Sequence, residues 1–341
     1  WTRGKMAALR PVSKVSTGHT ACIHDIAHDY YGKRLATCSS DKSIRVFDKD
    51  ETDEWKLTSQ WSAHKSVIWR VEWAHPEFGQ LLASCSDDRQ VIIWAEHEST
   101  KQTGGESQFK FQAVATLVDF QKAVTCMHFA PAHLGLQLAT CCNDGRLRLH
   151  KGDPTSLGMW TVVGEFEPDG AGYGSYVNCV SWNKSRVDGP TLVVGWWRAS
   201  EPKVSSVGVW GYSNEQQRWS PITRLELEAD PKGAFREVRD VDWAPTMGRQ
   251  HHLIAVAIGT TVQVFKLPSL QGWQERKVEP SERPVVLTVG EGLAPVAFWR
   301  VGWNLTGTTL AGSAENGQVV CWKLDFQGQL KQHVTMNPQQ M

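Results

Sequence analysis

The sequence predicts an all-β fold built from six copies of one small unit. Three observations predict it. A strand–turn–strand pattern recurs from residue 35 to residue 322, a second marker gives the same six units independently, and 17 Trp stand against only 5 Tyr and 11 Phe. Trp is large and has one donor to satisfy, so 17 are hard to bury unless they recur at fixed places in a repeat.

The first marker is read directly. Leu35–Phe47 (LATCSSDKSIRVF) aligns with Leu82–Trp94 (LASCSDDRQVIIW), with Leu138–His150 (LATCCNDGRLRLH) and with Leu310–Trp322 (LAGSAENGQVVCW). Each copy alternates apolar and polar residues with period two on either side of a polar turn. Asp41, Asp88, Asp144 and Asn316 sit where a tight turn needs a side-chain acceptor. Weaker copies, Leu253–Phe265 and Leu192–Trp210, fill the gap without that acceptor, and looser turns are expected in them. The second marker is an earlier strand closing in an apolar or aromatic pair. It occurs at Asp25-Ile26, Val71–Trp73, Met127–Phe129, Val180–Trp182, Val241–Trp243 and Val301–Trp303.

Gly18-His19 and Ala63-His64 precede the first two units in the Gly-His position. With a Trp-Asp-like ending, this is the signature of the WD repeat, four strands to a blade. The expected architecture is therefore a WD-repeat β-propeller of six blades. A single four-stranded sheet cannot bury both faces, so blades must stack. In blade two, His64, Ser84 or Ser86, Asp88 and Trp94 are placed to form a buried polar chain, a structural network rather than a catalytic one. Asp41, Asp144 and Asn316 hold the matching place in blades one, three and six. Phe47 and His150 replace Trp, so blades one and three carry partial versions.

Composition narrows the function. Lys+Arg and Asp+Glu are both 36, and 41% of residues are apolar. A zero net charge argues against direct nucleic-acid binding and against a polybasic membrane anchor. No run approaches the ~18 apolar residues of a membrane span. The eight cysteines form no C-x-x-C and lie mostly in apolar strands, as small buried hydrophobes in a reducing compartment. His24 and His28 lie ~13 Å apart along a strand, too far to share a metal. His251-His252 has no ligand partners at metal spacing, and no nucleophile motif or phosphate loop is present. No enzyme, cofactor or metal is expected.

The domain reading is an N-terminal extension over 1–15, the propeller over 16–326, and a C-terminal strand and tail over 327–341. Met6 reads as the natural start, with Trp1–Lys5 upstream of it. Val12–Val15 is a candidate outer strand for blade six. Three stretches, 97–108, 167–176 and 268–297, are long for connections; the last holds four prolines and reads as a disordered excursion or, alternatively, a docking surface.

At this point the chain resembles a particular family. Phe129–Thr140 (FAPAHLGLQLAT) with Asn143–Leu149, Trp303–Thr308 (WNLTGT), and His24–Gly32 with Ala36–Asp41 are similar to the Seh-type nucleoporins. The resemblance spans roughly residues 18 to 325 and is thin in blades four and five. The sister Sec-thirteen type, a subunit of the COPII coat and the nuclear pore, is similar in blades one and two. A generic WD-repeat adaptor that reads a peptide is the remaining alternative. The resemblance implies an open six-bladed propeller, completed in trans by a strand-rich blade from a helical solenoid nucleoporin. It implies a scaffold subunit of the Y complex at the nuclear envelope and nuclear pore complex, serving mRNA and protein transport. It also implies a role in the SEA/GATOR-type complex at the vacuole or lysosome, in TOR signalling. The flat faces of blades one and six then become the partner-blade interface, with Ile23, Ile26, Ile44, Val301, Leu310 and Val319 as candidates.

Overall fold

Each of the six repeats closes into an antiparallel sheet of four strands taken in chain order. A computed structural model describes residues 15–99, 108–170, 174–198, 205–228, 237–275, 278–288 and 296–336. Blade one is β1 (Ile23–His28), β2 (Arg34–Ser39), β3 (Ser43–Lys49) and β4 (Trp55–Ser62). Blade two is β5 (Ile68–Trp73), β6 (Leu81–Ser86), β7 (Val91–Ser99) and β8 (Gln108–Leu117). Blade three is β9 (Val124–Phe129), β10 (Gln137–Cys142), β11 (Leu147–Asp153) and β12 (Ser156–Phe166). Blade four is β13 (Ser175–Trp182), β14 (Thr191–Arg198), β15 (Ser205–Ser213) and β16 (Arg218–Leu225). Blade five is β17 (Val238–Trp243), β18 (His251–Ile258), β19 (Thr261–Pro268) and β20 (Val285–Leu287). Blade six is β21 (Phe298–Trp303), β22 (Thr309–Ala314), β23 (Val319–Leu324) and β24 (Leu330–Met336). These are the six blades of an all-β WD-repeat propeller. The chain falls into two units, Val15–Val177 and the chain from Asn178 on.

Three expectations need correcting. Blade five was expected to have a loose turn for want of an Asp. Its β18–β19 turn is instead Gly259-Thr260 alone, with Ile258 paired to Thr261. Gly259 has φ 53°, which supplies the left-handed residue a two-residue hairpin needs without any side-chain acceptor. The corresponding segment of blade four lies outside the described residues. The stretch 268–297 is not simply irregular, because Val285–Leu287 within it pairs with Val262–Val264 as the fourth strand of blade five. Three residues beside Pro284 are too few to show a strand period. Finally, Leu330–Met336 is the fourth strand of blade six, paired to Val319–Leu324. The propeller therefore runs past residue 326, and the outer position proposed for Val12–Val15 is taken; residues 1–14 lie outside the described residues.

Within the first unit, alternation decides which blade faces which. Cys38, Ile44 and Val46 of blade one pack with Ile68 and Val71 of blade two. Cys85, Val91 and Ile93 on the next blade pack with Val124 and Met127 of blade three. In the second unit Ala257, Val262 and Val264 of blade five pack with Phe298 and Val301 of blade six. Each fully buried side chain of this size stabilises the fold by about 1.5–3 kcal/mol relative to exposure.

The first strands of neighbouring blades are also tied by polar side chains. The middle residue of three of the four Val-x-Trp triplets reaches the next blade. Glu72 accepts the Phe129 N–H (3.0 Å), Ser181 Oγ accepts the Trp243 N–H (3.1 Å) and Asp242 accepts the Trp303 N–H (2.7 Å). Two positions earlier in the strand, Asp25 accepts the Val71 N–H (3.2 Å) and Asp240 the Val301 N–H (3.1 Å). A first strand has no fifth strand beside it, so these acceptors satisfy amides that burial would otherwise strand. Burial lifts the carboxyls of Glu72 and Asp242 above their usual range, against the pull of those N–H donors. Asp242→Ala should therefore cost about 1–3 kcal/mol by leaving the Trp303 amide unpaired. Asp242→Asn, which keeps an acceptor and brings no charge, should cost clearly less. Urea denaturation of both variants checks this; equal losses would show that the acceptor does not matter.

Candidate functional site

The turn acceptors share one geometry. Asp41, Asp88, Asp144 and Asn316 accept the N–H of Ser43, Gln90, Arg146 and Gln318, each two residues on, at 3.0–3.1 Å. The residue after each acceptor is left-handed: Lys42 and Arg89 in blades one and two, Gly145 and Gly317 in blades three and six.

From that turn a polar chain runs inward in blade two. Trp94 Nε1 donates to Ser84 Oγ (2.9 Å), Ser84 lies 2.8 Å from His64 Nε2, and His64 Nδ1 lies 3.0 Å from Asp88. The same carboxylate accepts the Lys65 N–H at 2.9 Å. With the proton on Nδ1, each donor in the chain has one acceptor. Ser84, not Ser86, is the link; Ser86 turns instead to the Val67 carbonyl (2.7 Å). Burial opposes ionisation of Asp88, but its hydrogen bonds from His64 and from the backbone outweigh it and hold the carboxyl below its ordinary value.

The other blades keep parts of this chain. In blade one His19 spans Asp41 (2.8 Å) and Thr37 (2.9 Å), and stops there because Phe47 has no donor. Blade three inverts it. Phe120 stands where the His belongs, and His150 stands where the Trp belongs, 3.2 Å from Thr140. Asp144 is held instead by Arg148 at 2.9 Å. Burial among apolar groups lowers His150 to about 4. Asn316 of blade six is exposed and makes only its local turn bond. Blade five has a different chain, invisible in the repeat pattern. Trp243 Nε1 donates to His252 Nδ1 (3.3 Å), and His252 Nε2 faces Asp188 of the blade-four connection (3.3 Å). Burial opposes ionisation of Asp188 too, yet hydrogen bonds from His252 and Ser185 bring it down to about 2.

These networks are closed among themselves. Among the described residues, no group of three or more His, Cys, Asp and Glu side chains is placed to hold a metal. The surfaces left open lie elsewhere. Ile23 and Ile26 on β1 are 37% and 55% exposed. Their counterparts on the other first strands, from Ile68 and Val71 to Phe298 and Val301, are all 8% exposed or less. Val319 is half-buried, whereas its counterparts Ile44, Val91, Leu147 and Val262 are fully buried.

The remaining three interface candidates are corrected by the same alternation. Ile44 points to the side of blade one that packs on blade two, and Val301 and Leu310 point to the side of blade six that packs on blade five. All three are buried against a neighbouring blade and have no surface to offer.

Two outcomes follow from the networks. Asp88→Ala should cost about 1–3 kcal/mol in chemical denaturation, and Asn316→Ala less, because only the first strands a buried histidine. His150 is held neutral in the fold, with its pKa below the unfolded 6.5. Its contribution is complete above pH 6.5 and is lost as pH falls from 6.5 toward 4, at roughly 1.4 kcal/mol per pH unit. His28 and His251, also lowered by burial, act in the same direction. His150→Phe should flatten the stability profile in that window; an unchanged slope would show that His150 is not the group being titrated.

Comparison with known proteins agrees with the repeat reading. The WD domain, G-beta repeat family matches residues 11–48 and 55–95. The chain is 35% identical over 317 residues to Nucleoporin SEH1 of Homo sapiens and, at the same identity, to that of Bos taurus, covering 92% of this chain and 84% of each relative. It is 36% identical over 322 residues to Nucleoporin SEH1-B of Xenopus laevis, with the same coverage. An alignment of this identity over nearly the whole chain, through both the strong and the weak blades, places it: the chain belongs to the Nucleoporin SEH1 family of WD-repeat proteins.

Proposed function

We propose that the chain is a non-enzymatic scaffold subunit of the nuclear pore complex whose six blades form an open ring, completed in trans by a blade from a helical solenoid nucleoporin of the Y complex. The observation that carries this reading is the exposure of Ile23 and Ile26 where all other first strands bury the equivalent pair. Blade one lacks on that side the apolar cover that blade one itself gives blade two. A donated blade supplies it, at about 25 cal/mol per Å² of apolar surface removed from water.

A second feature supports the same reading. Blades one, two, four and five each carry a carboxylate or hydroxyl at one or both positions that cap the next blade's amides: Asp25, Glu72, Ser181, and Asp240 with Asp242. Blade three carries Cys126 and His128 there, and blade six Arg300 and Gly302. In blade six one is a donor and the other has no side chain, so blade six has no means to cap a first strand in that way. Half-buried Val319 lies on its far side.

Hydrogen exchange tests the proposal. Peptides over residues 20–28 and 311–321 should exchange faster in the free chain than those of blades two and three, and slow when the solenoid partner is added. Ile26→Asp should weaken capture of that partner at least tenfold without lowering the melting temperature. If both segments are already as protected as blades two and three, the ring is closed and the reading fails. Recovery of COPII coat proteins rather than Y-complex subunits on affinity purification would favour the Sec-thirteen type role instead.

A further inference from the structure

Among the described residues, the fourth strand of every blade ends its sheet, and edges of soluble proteins are blunted against unwanted pairing by cations, prolines or brevity. Five of the six fourth strands follow this rule. β4 carries Lys56, β8 Lys110, β16 Arg218, Pro221 and Arg224, and β24 Lys331, while β20 has only three residues. The exception is β12 in blade three. It has 11 residues, the longest strand among those described, with no Lys, Arg or Pro and a single charge, Glu165, near its end.

Three of its apolar residues are also exposed: Met159, Val162 and Val163 are 62%, 45% and 48% exposed. The strand is anchored by Leu157 and Trp160, which pack against the core shared by blades two and three, and Trp160 Nε1 donates to the Leu157 carbonyl at 2.9 Å. β12 has two register shifts against the third strand where β4, β8, β16 and β24 have one each, and between the two shifts Trp160–Val162 pair regularly. A long, anchored strand rich in β-branched residues with an uncharged free edge is the template that the other five edges avoid presenting.

We propose that β12 is a self-pairing edge, at which a second copy of this chain adds its own β12 antiparallel across a two-fold axis. The sequence is self-complementary in that arrangement. With Thr161 opposite its copy, Met159 faces Val163, Gly158 faces Gly164, and Glu165 faces Leu157. The one charge never meets its own copy, so pairing carries no like-charge penalty, whereas a central Lys on such an edge would oppose it. The exposed methionine and valines cover each other, and two four-stranded sheets join into one of eight. Strand pairing alone makes a small interface, so a weak dimer is expected, with Kd of about 10–100 µM.

Sedimentation velocity of the full chain over a concentration series from about 1 to about 300 µM tests this. The wild type should move from monomer to dimer across that range. Thr161→Lys and Thr161→Glu, at an exposed position, should each remain monomeric, with Kd raised more than tenfold and melting temperature unchanged. Mixing the two variants should restore a one-to-one dimer, because Lys and Glu then face each other in the stated register. A wild type that stays monomeric throughout overturns the proposal. So does a dimer that neither charge disrupts, since its contact then lies elsewhere, and so does failure of the mixture to recover pairing.

Discussion

The capping of one blade's first-strand amides by a side chain from the blade before it is the constraint on which the rest of the structure depends. A four-stranded antiparallel sheet leaves two edges, and a blade stacked face to face on another must still satisfy the backbone groups of the edge it buries. In both units the solution is local and repeated. An acceptor in one first strand takes an amide from the next, as Glu72 does for Phe129 and Asp242 for Trp303. The bond fixes the offset between adjacent blades, and that offset lets Ile68 and Val71 settle among Cys38, Ile44 and Val46. Packing and polar satisfaction are thus set by the same contact.

The blade networks add a second level. They tie the turn between the second and third strands to the residue that enters the blade and to the indole of the third strand. Among the described residues, only blade two has the full chain from Trp94 through Ser84 and His64 to Asp88. The others retain whatever part of it their residues can satisfy. His150 replaces the indole in blade three and stays neutral in an apolar setting. Blade five recruits Asp188 from the preceding connection to close a chain through His252 and Trp243. What persists in blades one, two, three and five is a side-chain link of this kind, rather than any one residue type.

The functional reading follows from the two end blades. Blade six has Arg300 and Gly302 where a capping acceptor is needed, and blade one exposes Ile23 and Ile26 where a neighbour's cover is needed. A repeat architecture ordinarily protects its terminal units with polar outer faces. Here the first blade keeps an apolar one, which is the observation behind the proposed scaffold role. The free fourth strands are a separate matter, governed by charge and length, and β12 alone departs from the protected type.

The sequence by itself determined the number of blades, the strand–turn–strand core of each, the turn acceptors and the residues of the blade-two network. These were legible because period-two alternation and turn chemistry are local, and a repeat presents them several times over. Which residues of blades one and six stay exposed was partly legible: of the six candidates, Ile23, Ile26 and Val319 are the ones not fully buried. Which face each residue serves was not, because the sequence shows that side chains alternate but not which side meets the neighbouring blade. Ile44, Val301 and Leu310 were misread for that reason. The capping acceptors went unread although their signal was present, as polar residues inside triplets taken only for their apolar ends. The short strand Val285–Leu287 and the assignment of Leu330–Met336 to blade six were decided only by tertiary structure. A three-residue strand carries no period of its own, and a strand's place in a sheet depends on hydrogen bonds to residues distant in the chain.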